Sequence, residues 1–468
     1  MAPHLGPKRA ENGREAGAQE ASPGPTYYLD SEAGDDSLGG TSPQTAWKSL
    51  ARAQAASLVP GASVLFKRGG DWTGQLTLAS SGSPGEPILI GAYGRGELPR
   101  LHGGGCLDLQ GSYLVVQALH TDACTWAGIS ISGHHNVVRD SASTGNVAGI
   151  YVRPGATSNQ ILGNQLRDNN RMSVLTPEPG GDSGAWGVLL RGDDTEVAYN
   201  VVRGSDSFSY DFARDGAAFE IYGARNNRIH HNRAYDNNMF SELGHARSAG
   251  NVFAYNVVVS NLERGGFLTT RGAASSYGPV LATELYNNSV LLGGELSEGI
   301  VCHAGCGPEI LRMRNNVIQA VRKVGYADAP FDEGFGLYHG GRVQFALGPG
   351  SQVLPPGFAH PGSADLHLEV SSPGIDAGDQ DASNASRDID GNVVPADGTG
   401  DGRAVVDVGA YELVPGSGDA GPGSPPEPEP EPEPDTGSER RRSIGRTDTF
   451  GIGEALDGLR RLGQRPLG

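Results

Sequence analysis

The chain has 468 residues, a formal charge of −18 and a sequence pI near 5.1, so it lacks the Lys/Arg-rich surface that nucleic-acid phosphates demand. Hydrophobic residues make up only 37%, and the 72 glycines keep no collagen-like period of three, which fits many short strands and turns better than a helical bundle. No stretch approaches the ~18 apolar residues of a membrane span, so none is expected.

In chain order, residues 1–25 are polar, lack the apolar core of a secretory leader, and read as disordered. Residues 26–100 read as an N-terminal cap and first coils. They contain a strand, a turn-rich loop and a short helix with Trp47, Leu50 and Leu58 on one face, expected to cover the open N-terminal end of a repeat region.

Residues 101–350 carry an internal repeat. Short strands such as Ile129-Ser-Ile, Ile150-Tyr-Val, Val188-Leu-Leu, Phe219-Glu-Ile-Tyr, Ser241-Glu-Leu, Phe267-Leu-Thr-Thr and Ile300-Val-Cys-His are each followed by an Asn-flanked second strand. Asn164, Asn200, Asn232, Asn256, Asn287 and Asn315 fall at one point of this grammar, 36, 32, 24, 31 and 28 residues apart. A solenoid coil of about 22–24 residues, with loops of variable length at one corner, accounts for both the minimum and the scatter. One Asn per coil predicts a hydrogen-bonded ladder from rung to rung. The L-x-x-L-x-L frame of a leucine-rich solenoid is absent. The expected fold is all-β, a right-handed parallel β-helix (a single-stranded solenoid) with a capping helix and a disordered C-terminal tail.

Residues 351–414 read as a closing segment, 415–438 as a Pro/Glu-rich spacer in extended polyproline II form, and 439–468 as a basic tail. Asp388-x-Asp390-Gly and Asp397-Gly-Thr-Gly-Asp401-Gly have the flavour of Ca²⁺ loops without a complete EF-hand frame. Cys106 with Cys124, and Cys302 with Cys306, are candidate bridges or structural thiols; no zinc-ligand spacing exists.

The opening YYLDSEAGDDSLGGTSPQTAWKSLARA, the coil repeat, and the closing SSPGIDAGD and VVDVGAYE together resemble the pectate-lyase-like superfamily of secreted bacterial right-handed β-helices, over roughly residues 26–414. The resemblance implies an extracellular or cell-surface, monomeric protein that meets a polysaccharide. It leaves the chemistry open among lyases, hydrolases, epimerases and non-catalytic surface proteins.

Strand alternation places the candidate chemistry. If Phe219 and Ile221 face the core, Glu220 and Tyr222 face out, and Glu242 stands above Glu220 on the next coil. The same alignment turns Tyr151, Arg191, Leu268, Thr270 and His303 outward. Long insertions near residues 171–186 and 204–217 bring Asp182, Asp211 and Asp215 to this face, beside Trp186, His245, Arg247 and Arg271. Stacked carboxylates repel, which leaves three readings: a Ca²⁺ site of Asp211, Asp215, Glu220 and Glu242; acid/base catalysis by the two glutamates with Arg247, Tyr222 and Arg191; or a solvated face paired to arginines. Tyr151, Trp186, His245, Arg271 and His303 are the candidate substrate contacts. The leading expectation is a polysaccharide lyase acting on an acidic extracellular glycan by β-elimination. A glycoside hydrolase and a non-catalytic adhesive protein are its rivals. The resemblance implies a lysine or arginine base; no lysine lies between Lys67 and Lys323, which leaves Arg247, Arg191 or Arg271 to substitute.

Overall fold

The computed structural model describes residues 24–382 and 385–414; the leader, spacer and tail expected from the sequence lie outside the described residues. The chain winds into a right-handed parallel β-helix. Twelve strands stack into one sheet, from Thr26–Leu29 through Arg228–His230 to Asp332–Gly334. The other two faces merge into a 19-stranded sheet, because long strands turn the corner between them. In Arg100–Leu109, residues 100–102 pair with His120–Asp122 on one face, while 107–109 pair with Ala127–Ile131 on the other.

Strands of three to six residues suffice because every backbone group pairs with the coil above and below. Corners are turned by single residues at positive φ, among them Asp140, Asp168, Asn226 and Asn287. These are types whose short polar side chains tolerate the left-handed region. Inward side chains then stack like on like: Ile150, Val188 and Phe219 are in register and fully buried.

The Asn ladder is present, with one correction. Asn164, Asn200, Asn232 and Asn256 are buried and linked in series, and Asn200 donates from Nδ2 to Asn232 Oδ1 at 3.0 Å and to the Ile161 carbonyl at 2.8 Å. Above Asn256 the ladder continues through Asn288 and Asn316, not Asn287 and Asn315. In each Asn pair the first residue sits at positive φ to turn the corner, and the second points inward.

The capping helix is shorter than expected. Only Leu50–Gln54 is helical, started by the Ser49 hydroxyl accepting from the Arg52 N–H at 3.1 Å, while Trp47 and Leu58 flank it in the same buried cluster. Both cysteine pairs are disulfides, Cys106–Cys124 and Cys302–Cys306. The closing segment runs back along the outside of the second face. Arg233 pairs with Asp390 at 2.7 Å, the Ser289 hydroxyl accepts from Ala410 N–H at 2.9 Å, and the Asn315 carbonyl accepts from Gly409 N–H at 2.8 Å. In its acidic turns the carboxylates of Asp388 and Asp397 accept backbone N–H bonds from Asn392, Gly400 and Gly402 at 2.8 Å.

Candidate active-site groove

The third face is the floor of a groove of about 1590 Å³. Its central row of outward positions runs in register from Asp108 through Ser130, Tyr151 and Leu189 to Glu220. It continues through Glu242 and Thr269 to Val301. At about 4.8 Å per coil, the seven steps span roughly 34 Å.

Glu220 and Glu242 are direct partners on adjacent coils, as alternation predicts. Their surroundings differ. The Glu242 carboxylate is paired to the Arg271 guanidinium, whose side chain is only 11% exposed. Glu220 lies on the groove floor, and its carboxyl is held well above the usual carboxylate range, first by burial and then by the charges of Glu242 and Asp215, with Arg271 opposing. Asp215 descends from the rim beside them. Burial, reinforced by Glu242, lifts it to about 7, against the stabilising N–H of Gly216 at 2.8 Å.

Two loops build that rim. Met172–Val174 pairs antiparallel with Ser183–Gly184, and Ser207–Ser209 pairs antiparallel with Ala213–Asp215. They are locked by a reciprocal exchange of carboxylates. Asp211 accepts from the N–H groups of Gly180, Gly181 and Asp182 at 2.8–3.0 Å, while Asp182 accepts from Thr176 and Tyr210 N–H and from the Ser209 hydroxyl at 2.6–3.0 Å. Asp211 thus clamps one loop to the other. Among the described residues no group of three His, Cys, Asp or Glu side chains is arranged to hold a metal ion.

Beside the carboxylates runs a second row holding Arg191, Tyr222, Arg271 and His303. Arg191 lies over the Tyr222 ring at 5.5 Å, and Arg271 over Tyr277 at 5.7 Å. The buried Nε of both arginines makes no hydrogen bond within the protein. Gly244 stands in this row because a Cβ there would lie 3.2 Å from the Tyr222 ring and 3.4 Å from Arg271 Nη1. The Tyr222 hydroxyl is shifted upward by burial. His245 stacks edge-on against Tyr222 at 5.3 Å from just outside the groove, its imidazole pushed down by burial and by the nearby charges of Arg191 and Arg247.

Arg247 does not join the site. It sits in the turn after the strand, tied to Asp193 and the Gly223 carbonyl. Leu268 and Thr270 also depart from expectation: both are fully buried, and Thr269 with Arg271 faces the groove. The cause is a corner where two successive residues, Phe267 and Leu268, both turn inward. Sequence reasoning missed Trp126, which stands just before a strand and carries no alternation signal.

The model for a right-handed β-helix region matches residues 182–345. The solved structure of pectate lyase Pel9A superposes with a TM-score of 0.57 at 16% identity, covering 84% of this chain and 97% of the lyase. The chain has the right-handed parallel β-helix fold of that lyase. This β-helix also matches a lacto-N-biosidase of Bifidobacterium longum subsp. longum, 40% identical over 89 residues. That match is 18% of this chain and 6% of that protein, so the chain spans a small fraction of the curated relative. The GH136 lacto-N-biosidase from Eubacterium ramulus superposes with a TM-score of 0.45 at 15% identity, over 70% of this β-helix and 67% of that chain.

Proposed function

We propose that this β-helix is a carbohydrate-active enzyme that hydrolyses glycosidic bonds with the carboxyl groups in its groove. The observation that carries the reading is the register pair Glu220–Glu242 held in opposite environments, one carboxyl whose proton affinity burial raises and one carboxylate held by Arg271. Cα atoms about 4.8 Å apart suit carboxylates on either side of one glycosidic bond. Glu220 gives its proton to the leaving oxygen as the C–O bond breaks, and Glu242 meets the positive charge developing at the anomeric carbon. Water then takes the leaving group's place and returns a proton to the acid. The small lacto-N-biosidase match supports this class.

A second reading, β-elimination from a uronate polymer, is favoured by the guanidinium groups of Arg191 and Arg271 lining the groove beside the carboxylates, which suit a sugar carboxylate. One experiment separates the two. The purified chain and its E220Q variant are offered neutral and uronate polymers, with and without chelator, while reducing ends and absorbance near 235 nm are followed. New reducing ends without absorbance, lost in E220Q and indifferent to chelator, support hydrolysis. Rising absorbance transfers the site to elimination, and silence in both channels removes the enzymatic reading.

A further inference from the structure

Two of the four tryptophans are structural. Trp47 and Trp72 are buried and donate their indole N–H to the carbonyls of Leu38 and Lys48 at 3.0 and 2.9 Å. Trp126 and Trp186 lie on the outside of the solenoid, in the groove, and among the described residues neither indole N–H has a protein acceptor. Trp186, 6% exposed, packs against the floor with Ala148 and Ala217. It backs Trp126, whose ring lies 6.1 Å from it and 4.9 Å from that of Tyr151, and both of these rings keep a partly open face. Arg153 lies over the Tyr151 ring at 6.0 Å, and its charge is met by Asp108 at 3.6 Å. An outer sheet face gains nothing from presenting an apolar, charge-neutral aromatic platform with spare donors to water; a ligand with an apolar face and hydroxyl rim satisfies both features.

We propose that Trp126 and Tyr151, supported by Trp186, form a distal subsite that stacks a neutral pyranose ring. Tyr151 lies two coils below Glu220, roughly 10 Å away, a separation longer than one sugar ring. The glycan therefore runs along the solenoid axis, one ring on the platform and another bond at the carboxylates. The enzyme distinguishes chains long enough to reach both sites. This inference rests on the glycan reading of the groove.

The test is binding, kept apart from turnover by placing every variant in the full E220Q chain. Neutral oligosaccharides of two to six rings, drawn from xylan, glucan, galactan and lacto-N-biose series, are titrated by calorimetry. At least one series is expected to bind with affinity rising at least tenfold once the chain spans both sites. W126A should abolish that rise and leave the shortest members unchanged, and W126F should restore most of it. A thermal melt of W126A matching that of its parent shows the fold intact, and Y151A supplies the same readout independently. Length dependence unaltered in both W126A and Y151A overturns the subsite, as does failure of every series to bind. Platform-dependent binding in a chain that cleaves nothing keeps the subsite and removes the hydrolytic reading.

Discussion

Glu220 is the residue on which the chemistry turns, and its neighbours push its proton affinity in opposite directions. The charge of Asp215 raises it, and that of Arg271 lowers it. An enzyme using Glu220 as acid loses rate as pH climbs through that elevated value. D215N removes a negative neighbour and should move the alkaline limb of the pH–rate profile to lower pH. R271Q should move it to higher pH, and should also cut kcat because Glu242 is left without its counter-charge. Opposite displacements in kcat/KM profiles check the assignment; movement in one direction for both variants removes Glu220 as the titrating acid. Neither effect requires loss of fold, since both side chains stand outside the core.

At the scale of elements, the coil owes its regularity to the Asn ladder. Asn200 donates to Ile161, Ala198 and Asn232 and accepts from the Asn164 N–H and amide, all within a fully buried corner. N200A leaves several buried groups unsatisfied at about 1–3 kcal/mol each, so a loss of about 3–5 kcal/mol is expected in urea denaturation. The rim loops behave differently. D182N weakens only the clamp between two hairpins, and should raise KM and blunt the pH response of the site while the urea midpoint moves little. A large fall in the midpoint would make Asp182 a stability residue instead.

These elements also mark what the sequence discloses. The pairing of Glu220 with Glu242 is legible because strand alternation has a period of two and the two strands lie 22 residues apart, the length of an uninterrupted coil. Alternation fails where Phe267 and Leu268 both point inward at a corner, which conceals Thr269 as a groove-facing residue beside Arg271. The double asparagines 287–288 and 315–316 defeat assignment for a related reason, since either member suits the ladder until the backbone assigns the turn to the first. Asp211 is ambiguous in kind: a loop aspartate that accepts three N–H groups and one that holds a cation look alike before folding.

For the whole molecule, the buried acids of the closing segment tie stability to pH. Burial lifts Asp407 to about 6 and Glu412 to about 8, and Asp215 stands at about 7. A carboxyl raised in the folded state adds stability that is fully present below its unfolded value near 4 and is lost as pH rises through the folded value. The chain should therefore be most stable in mildly acidic solution and lose stability between pH 5 and 9. Denaturation midpoints across that range check this, and E412Q should flatten the upper part of the decline.

The closing segment has one more consequence. A solenoid by itself tolerates any number of coils, because each rung satisfies the next and nothing counts them. Here the returning segment must find Arg233, Ser289 and Asn315 at three different heights, with partners fixed in its own sequence at Asp390, Ala410 and Gly409. A chain with a skipped coil or a slipped register presents those partners at the wrong level, and the segment cannot seat. The strap thus acts as a gauge of coil number and register, read only after winding is complete, over the stretch of solenoid that carries the carboxylates.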